Sequence, residues 1–236
     1  DALPGWLGFL RVHGSASGGF EVPSWVAVLC ALTMAGGTAG GDLDAVPDLP
    51  GYGEAPEPPR TPAIERMADL VAAYVRHLGR GPVILLGHSM GTQVVTEVAA
   101  RHPGTVSHLV LVAPTVDRHH RHALTQLVRL GRDLFGESAK VLLLGGREYL
   151  RAGPHLRRKI HAMLVHRPEH AYPRLEVPTL VVRGELDVVV PQPWFDEVVA
   201  AIPDAAPFVV EGHHHETLIR TAKPVTDELH RWLAEH

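Results

Sequence analysis

Residues Gly87-His88-Ser89-Met90-Gly91 spell G-x-S-x-G between an apolar run, Val83-Ile84-Leu85-Leu86, and a stretch with helical spacing. A strand that turns sharply into a helix holds such a serine at the apex, hydroxyl projecting from the sheet edge, in a strained conformation. The flanking glycines fit, because a Cβ at either site would crowd the crossing of strand and helix. A Gly-rich chain can produce this pentapeptide by chance, but the strand before and the helix after favour a nucleophile. A serine hydroxyl is a poor nucleophile at neutral pH, so it needs a base, and the base needs an orienting acid. Asp187 is the acid candidate, a few residues beyond the apolar run Leu180-Val181-Val182 in a loop that turns at Gly184. Glu185 in the same loop is weaker, and Asp117, beyond the run ending near Ala113, is a rival. The base is expected within His213-His214-His215, after Phe208-Val209-Val210; the sequence alone does not give their rotation.

Elements of two kinds must position these groups. Short apolar runs alternate with longer helical patterns, which predicts an α/β fold, a doubly wound and mostly parallel sheet. Strands are expected at Gly8–Val12, Ala45-Val46, Val83–Leu86, His108–Ala113, Thr179–Arg183 and Pro207–Val210. Helices are expected at Pro23–Met34, from Thr61 as cap with Pro62 at the first position, at Thr92–Arg101, Trp194–Ala201 and Val225–Ala234. The second of these carries Ile64, Ala68, Val71, Val75 and Leu78 on one face. Between Thr115 and Tyr172 the alternation fails. That segment has helical spacing (Leu124, Leu127, Val128, Leu130, Leu134), and an insertion of such length is usually functional. It reads as a helical cap, residues 115–172, over a core domain of residues 1–114 and 173–236.

Composition bounds the partners. The 236 residues are 45% hydrophobic with a formal net charge of −4, which suits one globular core and suggests neither nucleic acid nor an anionic membrane surface. One cysteine, Cys30, excludes an intramolecular disulfide and reads as a packed thiol. No apolar stretch reaches bilayer-spanning length and no secretory signal is visible, so a cytoplasmic enzyme is the expectation; the start at Asp1 suggests a removed leader or hairpin.

An acyl-transfer site also needs two backbone N–H groups aimed at the developing oxyanion. Met90, at the N-terminus of the helix after the serine, is one candidate. The other is Ser15, with Ala16 behind it, in the turn Val12-His13-Gly14-Ser15-Ala16-Ser17-Gly18-Gly19. The same turn lacks the G-K-[ST] ending of a phosphate loop. Three consecutive loop histidines point in different directions, which disfavours a metal site. His119, His120, His122, His155, His161, His166 and His170, spread among arginines, read as a solvated helix surface, and Trp6, Trp25, Trp194 and Trp232 as core or edge residues. An arginine turned inward from the insertion would point to a carboxylate-bearing substrate.

Over nearly its whole length the chain resembles the α/β-hydrolase fold superfamily, in the manner of a small bacterial serine esterase or C–C hydrolase. His13-Gly14 looks like the oxyanion turn, Asp48-Leu49-Pro50-Gly51-Tyr52-Gly53 like the D-x-P-G-x-G loop, and Gly87 to Gly91 like the nucleophile elbow. Gly184 to Asp187 resembles the acid loop and Gly212 to His215 the histidine loop, which places the base at His215, with His214 second. The resemblance implies a serine hydrolase: Ser89 attacks, His215 takes its proton, Asp187 orients the imidazole, and Met90 and Ser15 hold the oxyanion. It implies a small-molecule substrate and no cofactor. A serine at the apex argues against haloalkane dehalogenases and epoxide hydrolases. C–C bond hydrolases, thioesterases and non-hydrolytic cyclases, lyases or ligand-binding proteins remain alternatives.

Overall fold

A computed structural model describes residues 11–14, 30–34, 45–52, 55–79, 82–134, 155–215, 217–220 and 222–236. Within them seven strands form one sheet: β1 (Arg11–Gly14), β2 (Cys30–Met34), β3 (Ala45–Asp48), β4 (Val83–His88), β5 (Val106–Val112), β6 (Thr179–Gly184) and β7 (Ala205–Val210). Their spatial order is β1-β3-β2-β4-β5-β6-β7. β4 through β7 pair in parallel, whereas β1 with β3, β3 with β2 and β2 with β4 pair antiparallel. β1 and β2 therefore run against the other five.

The strands at the centre show why this sheet is covered on both sides. Val83 and Leu85 of β4, Leu109 and Leu111 of β5 and Val181 of β6 enter one core; α1 (Ile64–Leu78), α2 (Met90–Arg101) and α5 (Gln192–Ala201) close it. The residues between them, Ile84, Leu86, Val110, Val112, Leu180 and Val182, enter a second core against α6 (Thr217–Arg220) and α7 (Lys223–Leu233). Alternate side chains of a strand point to opposite faces, so a run apolar at every position needs helices on both. This is the α/β architecture the alternation predicts.

Two local expectations fail. Cys30–Met34 is a strand, not the end of a helix. The run Trp25–Leu32 is continuously apolar, and such a run does not distinguish a buried strand from a buried helix. Thr61 does not cap α1: Ala63 is its N-cap, without a side-chain hydrogen bond. The predicted apolar face does form, with Ile64, Ala68, Val71 and Val75 buried and Leu78 packed at its edge. In the insertion, the helical spacing of Leu124 to Leu134 does form a helix, α3 (Ala123–Leu134), and α4 (Leu156–Val165) follows it. α3 is turned opposite to its pattern, exposing Leu124 (72%), Leu127 (57%) and Val128 while burying Gln126 and Asp133. Its two buried side chains among the described residues are polar, and both have polar partners. Gln126 donates to the His120 carbonyl at 2.7 Å, and Asp133 accepts two backbone N–H groups described below.

Candidate active site

β4 ends at His88 and α2 begins at Met90, leaving a single residue to make the turn. That residue, Ser89, has φ 52° and ψ −120°. A non-glycine residue held there costs on the order of 1–3 kcal/mol and persists only where its surroundings enforce it. The enforcement is visible. The Ser89 N–H donates to the Val112 carbonyl (2.9 Å), and its own carbonyl accepts from the Thr92 N–H (3.0 Å) and hydroxyl (2.6 Å). A Cβ on Gly87 would lie 2.5 Å from the Gly91 carbonyl oxygen, so glycine at Gly87 lets strand and helix approach this closely.

Two loops bring a carboxylate and an imidazole to this apex. The segment after β6 carries Asp187, whose Oδ1 accepts the Val189 and Val190 N–H groups, each at 2.8 Å. The segment after β7 carries His215, and the loops are laced together by Leu186 N–H to His213 carbonyl (2.8 Å) and Gly212 N–H to the Glu185 carboxylate (2.9 Å). A Cβ on Gly184 would overlap the His213 and His214 carbonyls, so the lacing needs glycine there. His215 Nδ1 lies 2.9 Å from Asp187 Oδ2, and its Nε2 lies 2.9 Å from Ser89 Oγ. A carboxylate only accepts, so Nδ1 carries the proton. Nε2 then presents its lone pair to the serine hydroxyl, which donates.

Electrostatics favour that state. Burial pushes the Asp187 carboxyl up, but the His215 charge and the hydrogen bonds from His215, Val190 and Val189 outweigh it, and the group lies below the ordinary aspartate range. Asp187 and His215 are both buried, so their interaction is little screened. Such an arrangement can draw the serine proton onto Nε2 while the carboxylate stabilises the imidazolium.

The other sequence candidates lie elsewhere. Asp117 binds His120 and Arg129, each at 2.8 Å, and the His119 N–H at 2.9 Å. Glu185 accepts from Gly212, not from an imidazole. His213 Nδ1 faces the Glu211 carbonyl at 2.8 Å, and His214 faces Asp133. Among the described residues no group of three or more His, Cys, Asp or Glu is arranged to hold a metal ion, and no helix is long and apolar enough to cross a membrane. The Met90 amide sits in the first turn of α2, where an N–H has no acceptor within the helix. Ser15 and Ala16 lie outside the described residues.

One histidine of the supposed solvated surface is corrected: His166 is buried and pairs with Glu97 at 3.0 Å. Among the described residues, two arginines of the insertion are less than a fifth exposed, and both are engaged by protein groups, Arg121 by Glu169 and Arg129 by Asp117.

Sequence reasoning missed three residues around the apex. Tyr52, in the loop after β3, donates its hydroxyl to Met90 Sδ at 3.3 Å, under the Lys159 ammonium 4.8 Å from its ring centroid. Asp133 was hidden because the helical spacing of the insertion's leucines does not say which face is buried; its only sequence signal is that no other acidic residue occurs in that helix. His88 fills a variable position of the motif, yet it is fully enclosed and donates from Nε2 to the His215 carbonyl at 3.0 Å.

His88 makes the fold acid-sensitive. Burial first, then the neighbouring His215, lowers its pKa from 6.5 to about 4. The unfolded chain therefore takes up this proton before the folded one. The associated stability is complete above the unfolded value and falls by about 3 kcal/mol as pH drops toward the folded one. Urea unfolding between pH 7.5 and 4 should show this loss, with a shallower slope in His88→Gln; equal slopes would remove His88 as the cause.

The chain belongs to the alpha/beta hydrolase family, whose model matches residues 10–228. It is 41% identical over 73 residues to lipase LipV of Mycobacterium tuberculosis, 30% of this chain and 27% of that protein. It is 32% identical over 90 residues to 2-(acetamidomethylene)succinate hydrolase of Mesorhizobium japonicum, 37% of this chain and 32% of that one. These matches span about a third or less of each relative's length. Among solved structures, a thermophilic esterase from Thermogutta terrifontis superposes with TM-score 0.71 at 21% identity, covering 96% of this chain and 92% of its own, a likeness of fold.

Proposed function

We propose that the chain is a serine hydrolase that cleaves an ester or similarly activated carbonyl compound through an acyl-enzyme on Ser89. The observation that carries this reading is the 2.9 Å contact between Ser89 Oγ and His215 Nε2 at a strained apex, with Asp187 behind the imidazole. In the first half-reaction Ser89 Oγ bonds to the substrate carbonyl carbon while its proton passes to His215. The Met90 N–H, and that of Ser15, which follows β1 in the chain, stabilise the oxyanion. Imidazolium returns the proton to the leaving group, which departs as an alcohol. Water, deprotonated by the same His215, then bonds to the acyl carbon, the bond to Ser89 Oγ breaks, the imidazolium returns its proton to Ser89, and the acyl group leaves as a carboxylic acid. Residues 115–172 serve as a cap that shapes the substrate pocket, over a core of residues 1–114 and 173–236. The substrate is a small molecule, and no cofactor takes part.

A fluorophosphonate probe should label the protein stoichiometrically, with the added mass on the peptide containing Ser89. Hydrolysis should then be scanned over short and long acyl esters, acyl thioesters and 2-(acetamidomethylene)succinate. No labelling, or labelling at another residue, would overturn the reading.

A further inference from the structure

Asp133 is the one acidic residue of α3, a helix of the insertion, yet its side chain is 0% exposed. Its Oδ2 accepts the backbone N–H of His215 at 3.0 Å, and its Oδ1 faces the backbone N–H of Val188 at 3.4 Å. One carboxylate from the insertion thus bridges the residue after Asp187 and the backbone of the candidate base. We propose that Asp133 is a positioning residue for the general base, splinting the acid loop to the histidine loop so that His215 Nε2 meets Ser89.

This rests on the reading of Ser89, His215 and Asp187 above. Three observations support the splint. First, α3 turns Asp133 inward at the expense of leaving Leu124, Leu127 and Val128 in solvent, so its apolar face does not explain its rotation. Second, a carboxylate is a costly group to bury, and here burial, added to by Asp187, raises its pKa against the His215 charge and the two N–H groups that lower it. A leucine at the position would pack without that cost but would take this acceptor from the buried His215 N–H and from the part-buried Val188 N–H. Third, among the described residues the titratable groups facing Asp133 belong to the machinery or its neighbours: Asp187, His215, and His214, whose Nδ1 is 3.6 Å away and too distant for a hydrogen bond.

His215 reaches Asp187 and Ser89 through its two ring nitrogens, so a shift of its backbone moves both contacts at once. Asp133 touches the backbone only and acts through His215. Losing the splint should lower turnover more than binding.

The test uses the full chain and a short-chain p-nitrophenyl ester. Asp133→Ala should lower kcat by about 30- to 100-fold with KM within about threefold, the scale of a misplacement near 1 Å. Asp133→Asn keeps the volume but offers one acceptor for two donors, so a loss of about tenfold is expected. In both variants the acid limb of the kcat/KM profile should move to lower pH, because an anion near the imidazolium has gone. The far-downfield Nδ1 proton signal of His215 should broaden. Arg132→Ala, on the exposed side of the same helix, should leave kcat unchanged. If Asp133→Ala does not fold, the Asn variant decides alone.

Unchanged kcat in Asp133→Asn, or a loss matched by lower melting temperature with the pH limb and proton signal unmoved, would overturn the splint. So would a rise in KM at constant kcat. Retained activity in Ser89→Ala overturns the hydrolase reading itself, a separate outcome.

Discussion

Ser89→Ala should lower ester turnover on the order of a million-fold, about 8 kcal/mol of lost transition-state stabilisation, while leaving a folded protein. The loss is large because the proposed covalent step has no other nucleophile. Residual turnover would come from water attack aided by the Met90 N–H and by binding alone. Folding should survive because the strain at φ 52° belongs to the backbone, and alanine suffers it no more than serine does. The hydroxyl's contact in the folded state is with His215 Nε2, and the backbone bonds that hold the turn use the Ser89 N–H and carbonyl. The measurement is kcat on a p-nitrophenyl ester alongside a thermal melt. A variant that keeps its melting point and more than about a hundredth of its activity would sink the acyl-enzyme, since a lost nucleophile costs far more than that.

Asp187→Asn should cost about ten-thousand-fold in kcat, by a different route. The carbonyl of the introduced amide can still accept the Val189 and Val190 N–H groups that Asp187 Oδ1 serves, so the loop should hold. The amide NH2 group would then face His215 Nδ1 and turn that nitrogen into an acceptor. The proton moves to Nε2, which points at Ser89 and can no longer receive its proton. The same change alters the pH dependence of stability. Asp187 lies below its ordinary range in the folded state, so it contributes stability above the unfolded value that is lost as pH falls through the folded one. Asp187→Asn should therefore destabilise the protein at pH 7 and make little difference in strong acid. Asp117→Asn provides the contrast: Asp117 binds Arg129, His120 and the His119 N–H, so its loss should change kcat only several-fold. Equal losses in the two variants would reassign the acid.

Much of the framework is legible in the chain because it depends on local pattern. Runs such as Val83–Leu86 and Leu180–Val182 are apolar at every position, and the sheet does bury both their faces. The strand at Cys30–Met34 escaped for the same reason in reverse: a run without periodicity carries no sign of which element it forms. The cap of α1 was misplaced by two residues, since Thr61 and Pro62 make a plausible start wherever the chain turns. His166 and Asp133 were illegible for a deeper reason. Each is buried because a partner comes from far along the chain, Glu97 for the first and the loops after β6 and β7 for the second.

The sequence by itself determined the family, the sheet's alternation of strand and helix, the serine between two glycines, and short lists of acids and bases in the order Ser, acid, His. It could do so because each signal is carried by residues within one turn or one strand. The sequence favoured Asp187 and His215 over their rivals, and the tertiary structure supplied the distances, 2.9 Å from His215 to each of Asp187 and Ser89. Three consecutive histidines carry the same chemistry, and the spacing from Gly212 could only favour the third; the contact itself, His215 Nε2 at 2.9 Å from Ser89 Oγ, lies between loops laced by the Leu186 N–H and the His213 carbonyl. Hydrogen-bond distance is a property of packed loops, and no local pattern encodes it.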